Sequence, residues 1–133
     1  MTRPLKFKNA LLCEYVAMGD RGKYTLVNVL AGDLTVESFG GQMPLAFYGQ
    51  LEIEPGAPAP DLDLFVAVDD RRLAQIQLKN PVNNKAAVMV IAIPHIEIQI
   101  SQPCRLSFTA TSEGYDDTVV IAVSINGPPA SNG

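Results

Sequence analysis

The sequence predicts an all-β protein, an antiparallel two-sheet β-sandwich of eight or nine short strands, on three observations. Apolar and polar residues alternate at period two through most of the chain, while apolar residues at helical spacing are scarce. Turn-forming residues punctuate the alternation at short intervals. With no helices to cover them, strands that each carry an apolar face must bury those faces against one another, and two packed sheets do this.

Taken in order, ALLCEYV (10–16) predicts a first strand covered on both sides. Cys13 shares parity there with Phe7, Leu11 and Tyr15, and Glu14 takes the alternate face with Leu12 and Val16, so a buried Glu14 needs a partner. Two strands follow, 23–31 and 34–39. The loop 38–45 then either tucks Phe39 and Met43 under itself or presents them to a partner, burial being the commoner fate of such residues. From Leu45 to Ile53 the odd positions Leu45, Phe47, Leu51 and Ile53 face inward with Gly49 as a gap, and Tyr48, Gln50 and Glu52 face outward. The Pro/Gly-rich piece 54–60 reads as a semi-rigid connection that crosses between sheets.

Next, Leu62, Leu64, Val66 and Val68 face in, DDRR turns the chain, and 73–79 returns as the second arm of a hairpin. The unbroken apolar run 86–93 predicts a central strand covered on both faces, with a buried helical turn and a half as the alternative. Beyond Pro94, Ile96, Ile98 and Ile100 oppose His95, Glu97, Gln99 and Ser101. Two last strands flank SEGYDD, where Gly114 supplies the positive φ of a tight connection.

A chain of 133 residues, 47% of them hydrophobic and 18% charged, fits one domain large enough to fold without disulfides or metal. The boundaries predicted are a sandwich over 1–126 and a flexible tail over 127–133. Ten Lys and Arg against fourteen Asp and Glu give a net charge of −4, and no basic cluster exceeds Arg71-Arg72, which argues against nucleic acid. The opening segment lacks a signal-peptide pattern, and no apolar run approaches the ~20 residues of a membrane span. The expectation is a soluble cytoplasmic protein with no membrane partner.

Chemistry has few places to sit. Cys13, Cys104 and His95 are the only thiols and the only imidazole, three ligands where structural zinc wants four, and no two are closely spaced. A Cys–His dyad fails on direction, because His95 takes the polar side of its strand while Cys104 keeps parity with Leu106, Phe108 and Ala110, unless Pro103 breaks the register. Both thiols read as packed and inert. A disulfide between them requires neighbouring strands and an oxidising compartment.

Carboxylates at the hairpin ends, Asp69, Asp70, Asp116 and Asp117, are the metal candidates. Calcium needs six to eight converging oxygens, and solvated turn acids are the default reading. No GxSxG elbow, P-loop or dinucleotide fingerprint occurs, so no catalytic or cofactor-binding residue is assigned.

The first quarter carries a resemblance. ALLCEYV, then Gly22-Lys23 with Leu26, Asn28 and Val29 at the following positions, then Gly32 before a short strand leading to Pro44, resembles a family of small bacterial and phage-related proteins, a domain of unknown function, over residues 10–45. In QPCRLSFTATSEG, Cys104 and Leu106 stand where that family carries a Gly–Tyr hairpin. The resemblance implies an immunoglobulin-like sandwich in a cytoplasmic protein with no assigned activity. The functional expectation is a non-enzymatic protein-binding or structural module, with a homodimer through a strand edge or loop face as one form of it. The alternative is a calcium-binding sandwich, or a carbohydrate-binding one that uses the face of Tyr48, Gln50 and Glu52.

Overall fold

The computed structural model describes residues 3–30, 32–54, 60–78 and 88–128. Within them the chain is all-β, and the strands number fourteen where the alternation predicts eight or nine. They are β1 (Arg3–Pro4), β2 (Phe7–Cys13), β3 (Tyr15–Met18), β4 (Tyr24–Val27), β5 (Leu34–Thr35), β6 (Gln42–Met43), β7 (Ala46–Glu52), β8 (Leu62–Val68), β9 (Arg71–Leu78), β10 (Val88–Ile93), β11 (Ile98–Gln99), β12 (Cys104–Thr111), β13 (Tyr115–Asp116) and β14 (Thr118–Asn126). The excess is short pieces, because only β2, β7, β8, β9, β10, β12 and β14 exceed four residues. The segments 23–31 and 34–39 contract to β4 and β5. Residues 31, 55–59, 79, 86–87 and 129–133, over which the alternation and composition also make predictions, lie outside the described residues.

Five strands form one sheet in the order β5-β14-β12-β8-β9, and three form another in the order β10-β7-β2. The long strands pair antiparallel, but β5–β14 and β1–β13 are parallel, so the fully antiparallel expectation fails at these two short pairs. The chain changes sheets between β7 and β8, as the Pro/Gly-rich connection predicts, and again between β9 and β10 and between β10 and β12. The hairpins at Asp69-Asp70 and at Gly114 (φ 84°) form as expected. Asp69 itself takes φ 53°, a conformation Asp tolerates better than most residues.

The two sheets meet through their middle strands. Phe47 on β7 stacks on Phe108 of β12 with ring centroids 5.3 Å apart and planes 13° from parallel, both rings fully buried. Around them Leu12, Leu51, Leu64, Val66, Ile91 and Leu106 close one core drawn from both sheets. Ile96, Ile98 and Ile100 join it, while His95, Glu97 and Gln99 are exposed, as their alternation requires. The gap at Gly49 is filled by its neighbour, since a Cβ there would lie 2.9 Å from Cζ of Phe47. The Phe47 ring occupies the space a side chain would take.

Two expectations are corrected here. The described part of the run 86–93 does not make a central strand: among the described residues β10 is an edge of the three-stranded sheet, and Val90 on its outward side is exposed. A bulge in β2 overturns the parity of the first strand. Lys8 pairs with Gln50 and Leu11 with Tyr48, so one extra residue is accommodated around Asn9, whose φ is 52°. Phe7 faces the core before the bulge and Leu12 after it, which turns Cys13 to the opposite side of the sheet.

Candidate interaction surface

The outer side of the three-stranded sheet carries a second, smaller core. Cys13, Val16 and Ala46 are buried there, with Tyr24, Leu26, Tyr48 and Ala92 packed around them. The chain reaches this position because β2 stops at Cys13 and β3 begins two residues later, folding back with β4 as a hairpin over the sheet. Its turn is built from residues 19–23, with Arg21 at φ 58° and Gly22 at φ 71°, and Gly19 N–H donates to Lys23 O at 2.7 Å. Val16 and Leu26 pair on the covered side, and Tyr24 sets its ring 5.5 Å from that of Tyr48.

The other side of the hairpin is apolar too. Tyr15 and Val27 are direct partners in the β3–β4 ladder, and both are exposed, Tyr15 by half its surface. Met18 at the tip, which pairs with Tyr24 and shares the parity of Val16, is 77% exposed, and Val29 just after β4 is also open. Elsewhere among the described residues, Leu73, Val90 and Val119 are the exposed large apolar side chains, one to a strand. The segments YVAM and YTLV carry apolar residues at both parities, which is the sequence signal for a hairpin with two apolar faces.

Glu14 is exposed rather than buried, and it has a partner. Its Oε2 accepts a hydrogen bond from Asn28 Nδ2 at 2.8 Å, and its N–H donates to Val27 O at 3.0 Å. Leu30 N–H then donates to Leu12 O at 2.8 Å, tying the exit of the hairpin back to β2. ALLCEYV is thus two strands with a break at Glu14, and Tyr15 stands in solvent rather than in an apolar row with Cys13.

Cys13 is fully buried, and burial pushes its thiol up from the ordinary range; Sγ donates to Tyr15 O at 3.4 Å. Cys104 is half-buried on the core side of β12, where burial and then the nearby Asp69 carboxylate raise its pKa. Both thiols are free, and they sit on different sheets. His95 is exposed, with Nε2 3.8 Å from Glu97 Oε1.

The acidic pairs do not meet. Asp69 binds the start of β12, its Oδ1 accepting from Arg105 N–H at 3.0 Å, whereas Asp116 and Asp117 follow the far end of that strand. Among the described residues no three His, Cys, Asp or Glu side chains gather as metal ligands would. The face of Tyr48, Gln50 and Glu52 is occupied by its own contacts. Asn9 Nδ2 donates to Gln50 Oε1 at 3.0 Å, Gln50 Nε2 donates to the Tyr48 hydroxyl at 3.0 Å, and Lys8 pairs with Glu52 at 3.1 Å. Phe39 and Met43 are half-buried against the core, the ring of Phe39 lying over Gly127.

Clefts open on the described surface. One, of about 720 Å³, lies at the ends of β8 and β12, where Arg3 pairs with Glu54 and reaches over the Tyr115 ring. A second, about 580 Å³, lies beside the Asp69-Asp70 turn and Cys104. A third, about 500 Å³, is lined chiefly by apolar side chains beside Glu14. No helix among the described residues is long and apolar enough to cross a membrane. Comparison with protein families, with characterised proteins and with solved structures found no match for this chain.

Proposed function

We propose that this chain is a non-enzymatic protein-interaction module on an immunoglobulin-like sandwich, and that it docks through the outward face of the β3–β4 hairpin. The observation that carries the reading is the exposed apolar pair on that face, Tyr15 against Val27, with the exposed Met18 at the hairpin tip and Val29 just after β4. Large apolar side chains left exposed together on one small element mark a contact site.

What supports the immunoglobulin-like part is the pairing of the seven long strands. Labelled in chain order, the first, second and fifth (β2, β7, β10) share one sheet, and the third, fourth, sixth and seventh (β8, β9, β12, β14) share the other. That division, with the fourth strand beside the third, is an arrangement met in sandwiches of this class. Two free thiols, one of them fully buried, suit a reducing compartment and support a cytoplasmic setting.

The first occupant to test is a second copy, because a two-fold contact lets one apolar patch satisfy itself. Light scattering on the eluting protein across micromolar concentrations is expected to give a dimer mass that rises with concentration. Replacing Tyr15 and Val27 by Ser is expected to return it to the monomer while the fold persists. A wild-type chain that stays monomeric throughout overturns self-docking, and a dimer indifferent to both substitutions overturns the hairpin as its surface.

A further inference from the structure

We infer that the groove beside Glu14 is a docking site for an extended basic–apolar peptide segment of another protein. Its floor is Leu30, Leu34, Val36, Met43 and Ile100, brought together where the exit of the β3–β4 hairpin meets the loop between β5 and β6. Two carboxylates, Glu14 and Glu37, stand among the lining residues, and no Lys, Arg or His is among them. At about 500 Å³ the groove falls within the ordinary size of a ligand site.

The choice of occupant follows from charge. Asn28 holds Oε2 of Glu14, and among the described residues Glu37 has no ion-pair partner, so negative potential at this groove is not neutralised internally. An apolar floor beside uncompensated carboxylates favours a chain that offers alternating apolar and cationic side chains, as an extended peptide does at period two. The apolar contacts supply adhesion, whereas the carboxylates set the sign of the partner and make the preference salt-sensitive. The groove adjoins the outward hairpin face at Glu14, whose N–H donates to Val27 O, so the test includes a chain altered on that face.

The test is fluorescence anisotropy of three labelled, end-capped pentapeptides titrated with the full chain: alternating Lys and Leu, alternating Glu and Leu, and alternating Lys and Ser. The Lys/Leu peptide is expected to bind about tenfold more tightly than either of the others at low salt, with its advantage over Glu/Leu shrinking as ionic strength rises. Glu14→Gln with Glu37→Gln removes that advantage and keeps the Asn28 contact possible. Glu97→Gln with Glu113→Gln lowers the net charge equally and leaves the advantage intact, which separates the groove from the chain's overall −4. Equal binding of all three peptides, no binding, or a preference that both double variants erase alike overturns the proposal. The Tyr15→Ser, Val27→Ser chain is expected to bind the Lys/Leu peptide as wild type does, so failure of the groove and failure of the hairpin reading are told apart.

Discussion

The two faces of the three-stranded sheet bury apolar residues on very different scales. Its inner face meets a whole second sheet, and the stacked pair Phe47 and Phe108 sits at the centre of a core drawn from both. Its outer face meets only a four-residue-per-arm hairpin, which buries Cys13, Val16 and Ala46 and leaves its own far side to solvent. The difference teaches where stability resides. Closure of the inner core should be the folding reaction itself, whereas the hairpin over the outer cluster is expected to open with the sandwich intact.

The largest effect should therefore come from the inner face. Phe108→Ala removes a fully buried ring whose neighbours are fixed by two sheets, so collapse into the void is limited, and the cost is expected at about 3–5 kcal/mol by urea unfolding. A loss of less than about 1.5 kcal/mol would place the centre of the core elsewhere.

Gly49→Ala probes the same face from the opposite direction, by adding volume. The new methyl would lie 2.9 Å from Cζ of Phe47, and that ring cannot swing away because Phe108 backs it. An overpacking cost of about 1–3 kcal/mol is expected. Shortening the clashing side chain should recover part of it, so a Gly49→Ala, Phe47→Leu pair should fall short of the sum of its single changes. Strict additivity would show that the contact is relieved by backbone movement instead.

On the outer face, Tyr24→Ala deletes the ring that leans on Tyr48, and it is expected to cost about 1 kcal/mol globally. Its distinctive readout is local. Amide exchange should accelerate at residues 15–18 and 24–27 while β12 keeps its protection. Uniform acceleration across both sheets would mean the hairpin is part of the cooperative core, and the contrast between the two faces would then be lost.

Much of the inner face was legible, because period-two alternation reports which side of a strand is dry. Leu62 to Val66, Ile96 to Ile100 and Leu106 to Ala110 are buried at the positions their parity assigns, and the turns at Asp69 and Gly114 fall where their residues permit unusual φ. Parity fails where a bulge intervenes, and Asn9, a residue that tolerates φ near 52°, was the local sign of one. The edge position of β10 was hidden for a different reason. An apolar run looks alike whether a sheet or nothing flanks it, and flanking strands are a long-range property. The same holds for the parallel pairs β5–β14 and β1–β13, whose partners lie far apart in sequence. The exposed hairpin face was illegible as a surface because Tyr15 and Cys13 share parity, and only the break at Glu14 sends one to water and the other to a core.

The smallest expected effect uses that outer core as its own reporter. Burial raises the Cys13 thiol above its unfolded value, so the folded chain holds the proton more tightly than the unfolded chain does. Linkage then fixes the direction: this contribution is fully present below the ordinary thiol range and is lost as pH climbs through the raised folded value. Between wild type and Cys13→Ala, the difference in unfolding free energy should hold steady from pH 6 to about 8 and then shift against wild type as pH rises. Cys104 has a raised pKa as well but survives in both chains, so its contribution cancels in the comparison. Iodoacetamide adds a kinetic view of the same site. Cys13 should react only as fast as the hairpin opens, and Tyr24→Ala should speed that reaction more than it lowers global stability. Equal labelling of Cys13 in both chains would show that the thiol is reached by unfolding of the whole sandwich, and that the hairpin is no independent lid.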